Sequence, residues 1–110
     1  MRTLVDNKSF EMELMKIGDL KPGMSRVDIN AKAVEIPKPE EITAGRNVKR
    51  NILELKVEDE TGLMTLILWD DKIIQDIKVG DTLQIRNGFV TSFRGEWRIN
   101  VGKYGEITKI

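Results

Sequence analysis

The chain contains no cysteine and no histidine. The first absence excludes disulfides, thiolate zinc sites and cysteine nucleophiles. The second removes the commonest general base and the commonest metal ligand. No apolar run approaches the roughly 18 residues that cross a bilayer. The opening Met1-Arg2-Thr3-Leu4-Val5-Asp6 lacks the apolar stretch of a signal peptide. A reducing, cytoplasmic setting is therefore expected, with no membrane partner. Net charge is absent too, since 18 Lys and Arg balance 18 Asp and Glu. Aromatic residues make up only 5% of the chain, so each ring needs a location and a reason. Catalytic furniture is also missing: there is no glycine loop that cradles phosphate and no nucleophile beside a base. Asp70-Asp71 reads as a helix cap and Glu58-Asp59-Glu60 as a solvated turn, so neither enzyme activity nor a cofactor or metal is expected.

What remains is a chain of 110 residues, 40% apolar, enough for one domain with a modest core. Residues 1–15 read as an N-terminal arm or linker, with Phe10, Leu14 and Ile17 at helical spacing, and residues 16–110 as the folded domain. Leu20-Lys21-Pro22-Gly23-Met24 is a turn, and a related pattern returns at Ile77-Lys78-Val79-Gly80-Asp81. Val27, Ile29, Ala31 and Ala33 alternate on a first strand. Its parity then slips to Val34 and Ile36, as at a bulge. Pro37 to Arg50 reads as a polar loop. Leu53, Leu55 and Val57 define a second strand. After the turn Glu58–Gly62, Met64, Leu66 and Leu68 define the inner face of a third, with Leu63, Thr65, Ile67 and Trp69 on its other face. Asp70 or Asp71 is expected to cap a two-turn helix holding Ile73, Ile74 and Ile77. Leu83, Ile85 and, beyond an interruption at Asn87-Gly88, Val90 face inward on a fourth strand. Arg94-Gly95-Glu96 turns the chain into a fifth, where Trp97, Ile99 and Val101 share one face. Gly105 to Ile110 is expected to continue or close the sheet.

Three strands, a short helix and two more strands, with bulges in the first and fourth, let a small sheet curl until its edges meet. The fold class expected is all-β with one short helix, a five-stranded OB-fold Greek-key barrel. In that topology the ligand groove crosses the second and third strands between two loops, here 37–50 and 94–96. Charge is uneven along the chain. Glu54 to Asp81 carries eight acidic and three basic residues, whereas Arg86 to Lys103 carries four basic and one acidic, and Pro37 to Arg50 four and two. The fold would bring the two basic segments beside one groove.

Parity places Trp69, Phe89 and Phe93 on the outer face. Leaving such rings in water forfeits about 1.5–3 kcal/mol each, which argues for a partner with flat faces. Unpaired nucleobases qualify, because stacking contributes roughly 1–3 kcal/mol per base with little sequence preference. The competing reading puts these rings in the core. For Trp97 the core reading is preferred, on parity with Ile99 and Val101. Arg46, Lys49 and Arg50, with Arg94 and Arg98, would contact phosphates or stack on bases; alternatively they are ordinary solvated charges.

The segments Val57-Glu58-Asp59-Glu60-Thr61-Gly62, Leu66-Ile67-Leu68-Trp69-Asp70, Val79-Gly80-Asp81 and Asn87 through Gly95 together carry a resemblance, to which Lys16 through Met24 adds. From about Lys16 to Ile110 the chain resembles the archaeal and eukaryotic single-stranded DNA-binding proteins of one-barrel type, and the DNA-binding barrels of archaeal replication protein A. The resemblance implies sequence-tolerant binding of single-stranded DNA in replication, recombination and repair, in the nucleoid or, in a eukaryote, the nucleus. It implies base stacking on Trp69, Phe89 and Phe93. Some members carry a further aromatic where this chain has Asn100, which completes the nine candidate interface residues. It also implies that further OB domains or replication and repair proteins can be partners, and that the chain can be one barrel of a longer protein. Two other readings stay open. One is an RNA- or tRNA-binding OB domain. The other is a protein-interaction OB domain, with the three rings holding a peptide or a second copy.

Overall fold

A computed structural model describes residues 14–43 and 45–110. The reading of residues 1–15 as an arm lies, up to residue 13, outside the described residues. Among the described residues seven strands form: β1 (Val27–Glu35), β2 (Glu40–Thr43), β3 (Lys49–Asp59), β4 (Gly62–Trp69), β5 (Thr82–Phe93), β6 (Glu96–Val101) and β7 (Glu106–Lys109). The sheet runs β1-β3-β4-β6-β5, and a further β1–β5 pairing closes it into a ring. All these contacts are antiparallel except β4 with β6, which run parallel. This five-strand order is that of the OB fold, as expected. Two short strands are added to it. β2 lies on β3, and β7 lies on β5.

Alternation decides what fills the ring. Val27, Ile29, Ala31 and Ala33 of β1 are buried. So are Leu53, Leu55 and Val57 of β3, Met64, Leu66 and Leu68 of β4, Leu83, Ile85 and Val90 of β5, and Ile99 and Val101 of β6. Ile17 and Leu20, from the segment before β1, join the same core.

Curvature comes from the two interruptions. β1 shifts register against β3 between Ala33 and Glu35. In β5, Asp28 stands opposite both Arg86 and Asn87; Asn87 takes φ 58°, and its N–H donates to Asp28 Oδ1 at 2.9 Å. The two related turns act where the strands bend. Gly23 N–H donates to the Val90 carbonyl, and Val90 N–H donates to that of Met24. Gly80 N–H donates to the Ala33 carbonyl, and Ala33 N–H to that of Asp81. Each turn thereby supplies the ladder bonds that a bent strand would otherwise lack.

Three expectations need correction. The segment after β4 forms no α-helix, only a 3₁₀ turn at Asp70–Lys72. Asp70 takes φ 51°, off the right-handed helical path, and its carboxylate binds Arg50 and the Asn51 N–H instead of capping a helix. Ile73 and Ile77 still pack against the core as irregular chain. The expected loop 37–50 contains β2, paired with β3 from Glu40↔Ile52 to Thr43↔Lys49, so Lys49 and Arg50 are strand residues. Trp97 is not in the core but 46% exposed. Its parity is inward, but the β5–β6 hairpin outruns the ring. β6 meets β4 only from Arg98 onward, while Trp97 has Ser92 alone as its cross-strand partner.

Candidate nucleic-acid interface

The register lines up outward side chains across four strands. One row reads Glu54, Ile67, Asn100, Phe89 from β3 through β4 and β6 to β5, and the next reads Lys56, Thr65, Arg98, Thr91. Thr65, Ile67 and Asn100 are buried although they point away from the ring interior. Asn100 also lines an open groove of about 690 Å3. Arg50 and Trp69 line it from the β3–β4 side, Phe89, Thr91, Ser92 and Phe93 from β5, Arg98 and Asn100 from β6, and Gly102 and Lys103 from the chain just after β6.

Phe89 and Phe93 are 39% and 51% exposed, and Trp69 is half-buried. They are placed by different means. Trp69 ends β4, and its Nε1–H donates to Asn100 Oδ1 at 3.4 Å. The Asn100 amide in turn donates to the Phe89 carbonyl at 3.3 Å and to Thr91 Oγ1 at 3.0 Å. Asn100 is therefore a buried polar residue with its hydrogen bonds made, holding the indole edge and β5 together. Phe93 stands beside the two-residue turn Arg94-Gly95, where φ is 53° and 81°, the pattern of a type I′ hairpin. Arg94 and Arg98 approach its ring at 5.1 and 5.0 Å.

Two cations of the groove, Arg50 and Arg98, are engaged with carboxylates. Arg50 lies over the Trp69 ring at 4.5 Å. Its Nη2 and Nε reach Asp70 Oδ2 at 2.7 and 2.8 Å. Asp70 Oδ1 also accepts the Asn51 N–H at 2.9 Å, and these donors hold its carboxyl below the ordinary aspartate value, the Asn51 N–H first and Arg50 second. Arg98 pairs with Glu54 at 3.0 Å and Glu96 at 3.2 Å. Glu96 also meets Lys56 at 3.2 Å, and Lys56, then Arg98, keep its carboxyl ionised below the usual glutamate range.

Of the nine residues singled out from sequence, the groove brings together Trp69, Phe89, Phe93, Arg98, Asn100 and Arg50. Arg94 stacks on Phe93 at its end. Arg46 and Lys49 do not line it; both are exposed, and Lys49 sits 3.8 Å from Glu41. Arg46 lies between β2 and β3, and Lys49 opens β3 opposite Thr43. Sequence reasoning missed Lys103 and, just beyond, Tyr104, which is 79% exposed. Asking every ring in an aromatic-poor chain for a reason would have raised Tyr104. Among the described residues no group of His, Cys, Asp or Glu is arranged to hold a metal, and no helix is long and apolar enough to cross a membrane.

A closed OB ring with a ring-lined outer face defines the structural class. The chain belongs to the Ssb-like, OB-fold family of single-stranded DNA binding proteins, whose family profile matches residues 20–109. It is 35% identical over 94 residues to the single-stranded DNA binding protein Ssb of Saccharolobus solfataricus, covering 86% of this chain and 62% of that protein. It is 29% identical over 105 residues to replication factor A of Methanothermobacter thermautotrophicus, covering 94% of this chain but only 13% of that protein. The chain thus spans less than two thirds of the first of these relatives and a small part of the second. Among solved structures, the second OB-fold domain of replication protein A from Methanococcus maripaludis superposes with a TM-score of 0.76 at 26% identity, covering 89% of this chain and 95% of that one.

Proposed function

We propose that the chain binds single-stranded DNA with little sequence preference, by stacking bases on Trp69, Phe89 and Phe93, and that it serves replication, recombination and repair without catalysing a reaction. The observation that carries this reading is the open groove into which three aromatic rings from β4 and β5 converge. Family membership and the Ssb and replication factor A relatives support it. Every base has a π-face, so such a platform accepts any sequence. The Arg50 guanidinium roofs Trp69, so an incoming base stacks on that plane or displaces it. Arg94, Arg98 and Lys103 border the remaining path for phosphates, and Asn100 positions the indole rather than offering a fourth platform. Arg46 and Lys49 would meet only a strand that continues past the groove. Further OB domains, within a longer chain or in a partner, are natural extensions of a module this small.

Titration with oligothymidine tests this directly. Trp69 fluorescence should be quenched, and Trp69→Ala and Phe93→Ala should each weaken binding by roughly 1–3 kcal/mol in proteins that still unfold cooperatively. Undiminished affinity in a folded Trp69→Ala/Phe93→Ala protein would remove these rings from the interface. Matched RNA oligomers run alongside should bind no better than DNA; clear preference for RNA would point to recognition of the 2′-hydroxyl.

A further inference from the structure

Across Phe89 from the main groove lies a second depression, of about 310 Å3. Phe89, Gly102 and Lys103 line both, so the two are continuous around one ring. Its floor is bare backbone at Gly88, Gly102 and Gly105. A Cβ at Gly88 would stand 3.1 Å from the Asn100 carbonyl oxygen, one at Gly102 3.3 Å from Phe89 Cε1, and one at Gly105 3.1 Å from Val101 Cγ1. β5, the end of β6 and the turn after it approach so closely there that an added side chain would crowd its neighbours. Tyr104 stands at its side, 79% exposed. Its turn is tied down, because Asn87 Nδ2–H donates to the Tyr104 carbonyl at 3.1 Å.

The charges around this depression differ from those in the main groove. Arg26 and Lys103 border it, and no carboxylate lines it. Among the described residues neither cation takes part in an ion pair, whereas Arg50 and Arg98 both do. Lys103 Nζ lies 5.6 Å from the Tyr104 ring centre. An apolar slot between two rings with an uncompensated cationic rim fits a ligand with a flat apolar face and an anionic backbone.

We propose that this depression is a further nucleotide subsite, which extends the strand's path past Phe89. One base stacks on Tyr104, and its phosphate is met by Lys103 and Arg26. The proposal rests on the single-strand reading of the main groove.

The experiment uses the whole chain and oligothymidines from about four to about sixteen nucleotides, the span of site sizes of single OB folds. Wild type is compared with Tyr104→Ala and with Arg26→Asn, the latter chosen because asparagine tolerates the φ of 56° at that position. The shortest oligomers should bind all three proteins alike. Lengthening should strengthen wild-type binding by about tenfold beyond the main groove, and Tyr104→Ala should lose most of that gain. Arg26→Asn should flatten the salt dependence, by about 0.7 in log–log slope, for long oligomers only. An equal gain in wild type and Tyr104→Ala overturns the subsite, as does a loss of the same size at every length. If the shortest oligomers fail to bind wild type while long ones do, the main-groove reading has failed instead. If no oligomer binds, both fall.

Discussion

Three groups are arranged around Trp69. Asn100 binds the indole edge, Arg50 covers its face, and Asp70 holds Arg50. In the proposed interface, the Asp70 carboxylate thereby occupies a cation that a DNA phosphate would otherwise use. Asp70→Asn keeps an acceptor for the Asn51 N–H and suits the positive φ at this position. It should release Arg50 to phosphate and steepen the fall of log affinity with log salt by about 0.7. Titrations at several salt concentrations check this, and an unchanged slope would mean that Arg50 serves only as a lid on the ring. Asp70 is held below the ordinary carboxylate value, so at neutral pH it is ionised and its contribution is complete. That contribution is lost only as pH falls through the lowered value. Trp69, Phe89 and Phe93 were legible by parity because each lies on a strand that starts within the ring. Trp97 was not, since alternation says which side of a strand a residue takes but not whether a ring encloses that side.

The β3–β4 hairpin shows an element held by one side chain. Asp59 Oδ2 accepts the Ile17 N–H at 2.8 Å, and Oδ1 accepts that of Thr61 at 2.7 Å. It therefore closes the turn and anchors the segment that delivers Ile17 and Leu20 to the core. Burial disfavours its charge, but the donors from Ile17, Thr61 and Gly62 outweigh that, and its carboxyl titrates below the ordinary value. Asp59→Ala should destabilise the fold by about 1–2 kcal/mol in urea unfolding at neutral pH. Because the folded value is lowered, the deficit should persist above the usual carboxylate range and shrink as pH falls through it. A deficit independent of pH would assign the loss to packing. At the opposite end, Gly95 takes φ 81° in the turn that presents Phe93. Gly95→Ala should cost about 1 kcal/mol and disturb Phe93 more than Trp69. The hairpins were readable because their turn residues act locally. The segment after β4 was misread as a helix, because Asp70 is claimed by Arg50, which lies 20 residues earlier in the chain.

Over the whole molecule, zero net charge conceals an arrangement in which acidic residues interleave with the basic ones. Glu54 and Glu96 reach Arg98, and Glu96 reaches Lys56. Few cations around the groove are left for phosphate, so association should rest on stacking more than on counterion release. The log–log salt slope should lie at roughly −2 to −3, as for three or four neutralised phosphates, and measurable binding should persist at high salt. A slope steeper than about −5 would mean that the carboxylate pairs open when DNA binds.

Alternation, turn chemistry and two interrupted strands are local, and from them the chain's own order of residues determined five strands, their inward faces and the OB closure. The aromatic face followed from the same period of two. Which charges meet was decided only in three dimensions. Arg50 and Asp70, or Arg98 and Glu54, are far apart in sequence and become partners only when the strands are assembled. The same holds for the slot between Phe89 and Tyr104, which forms where β5, the end of β6 and the turn after it pack against one another. Periodicity assigns a residue to a face, but Coulomb and contact energies depend on distances that only the closed ring sets.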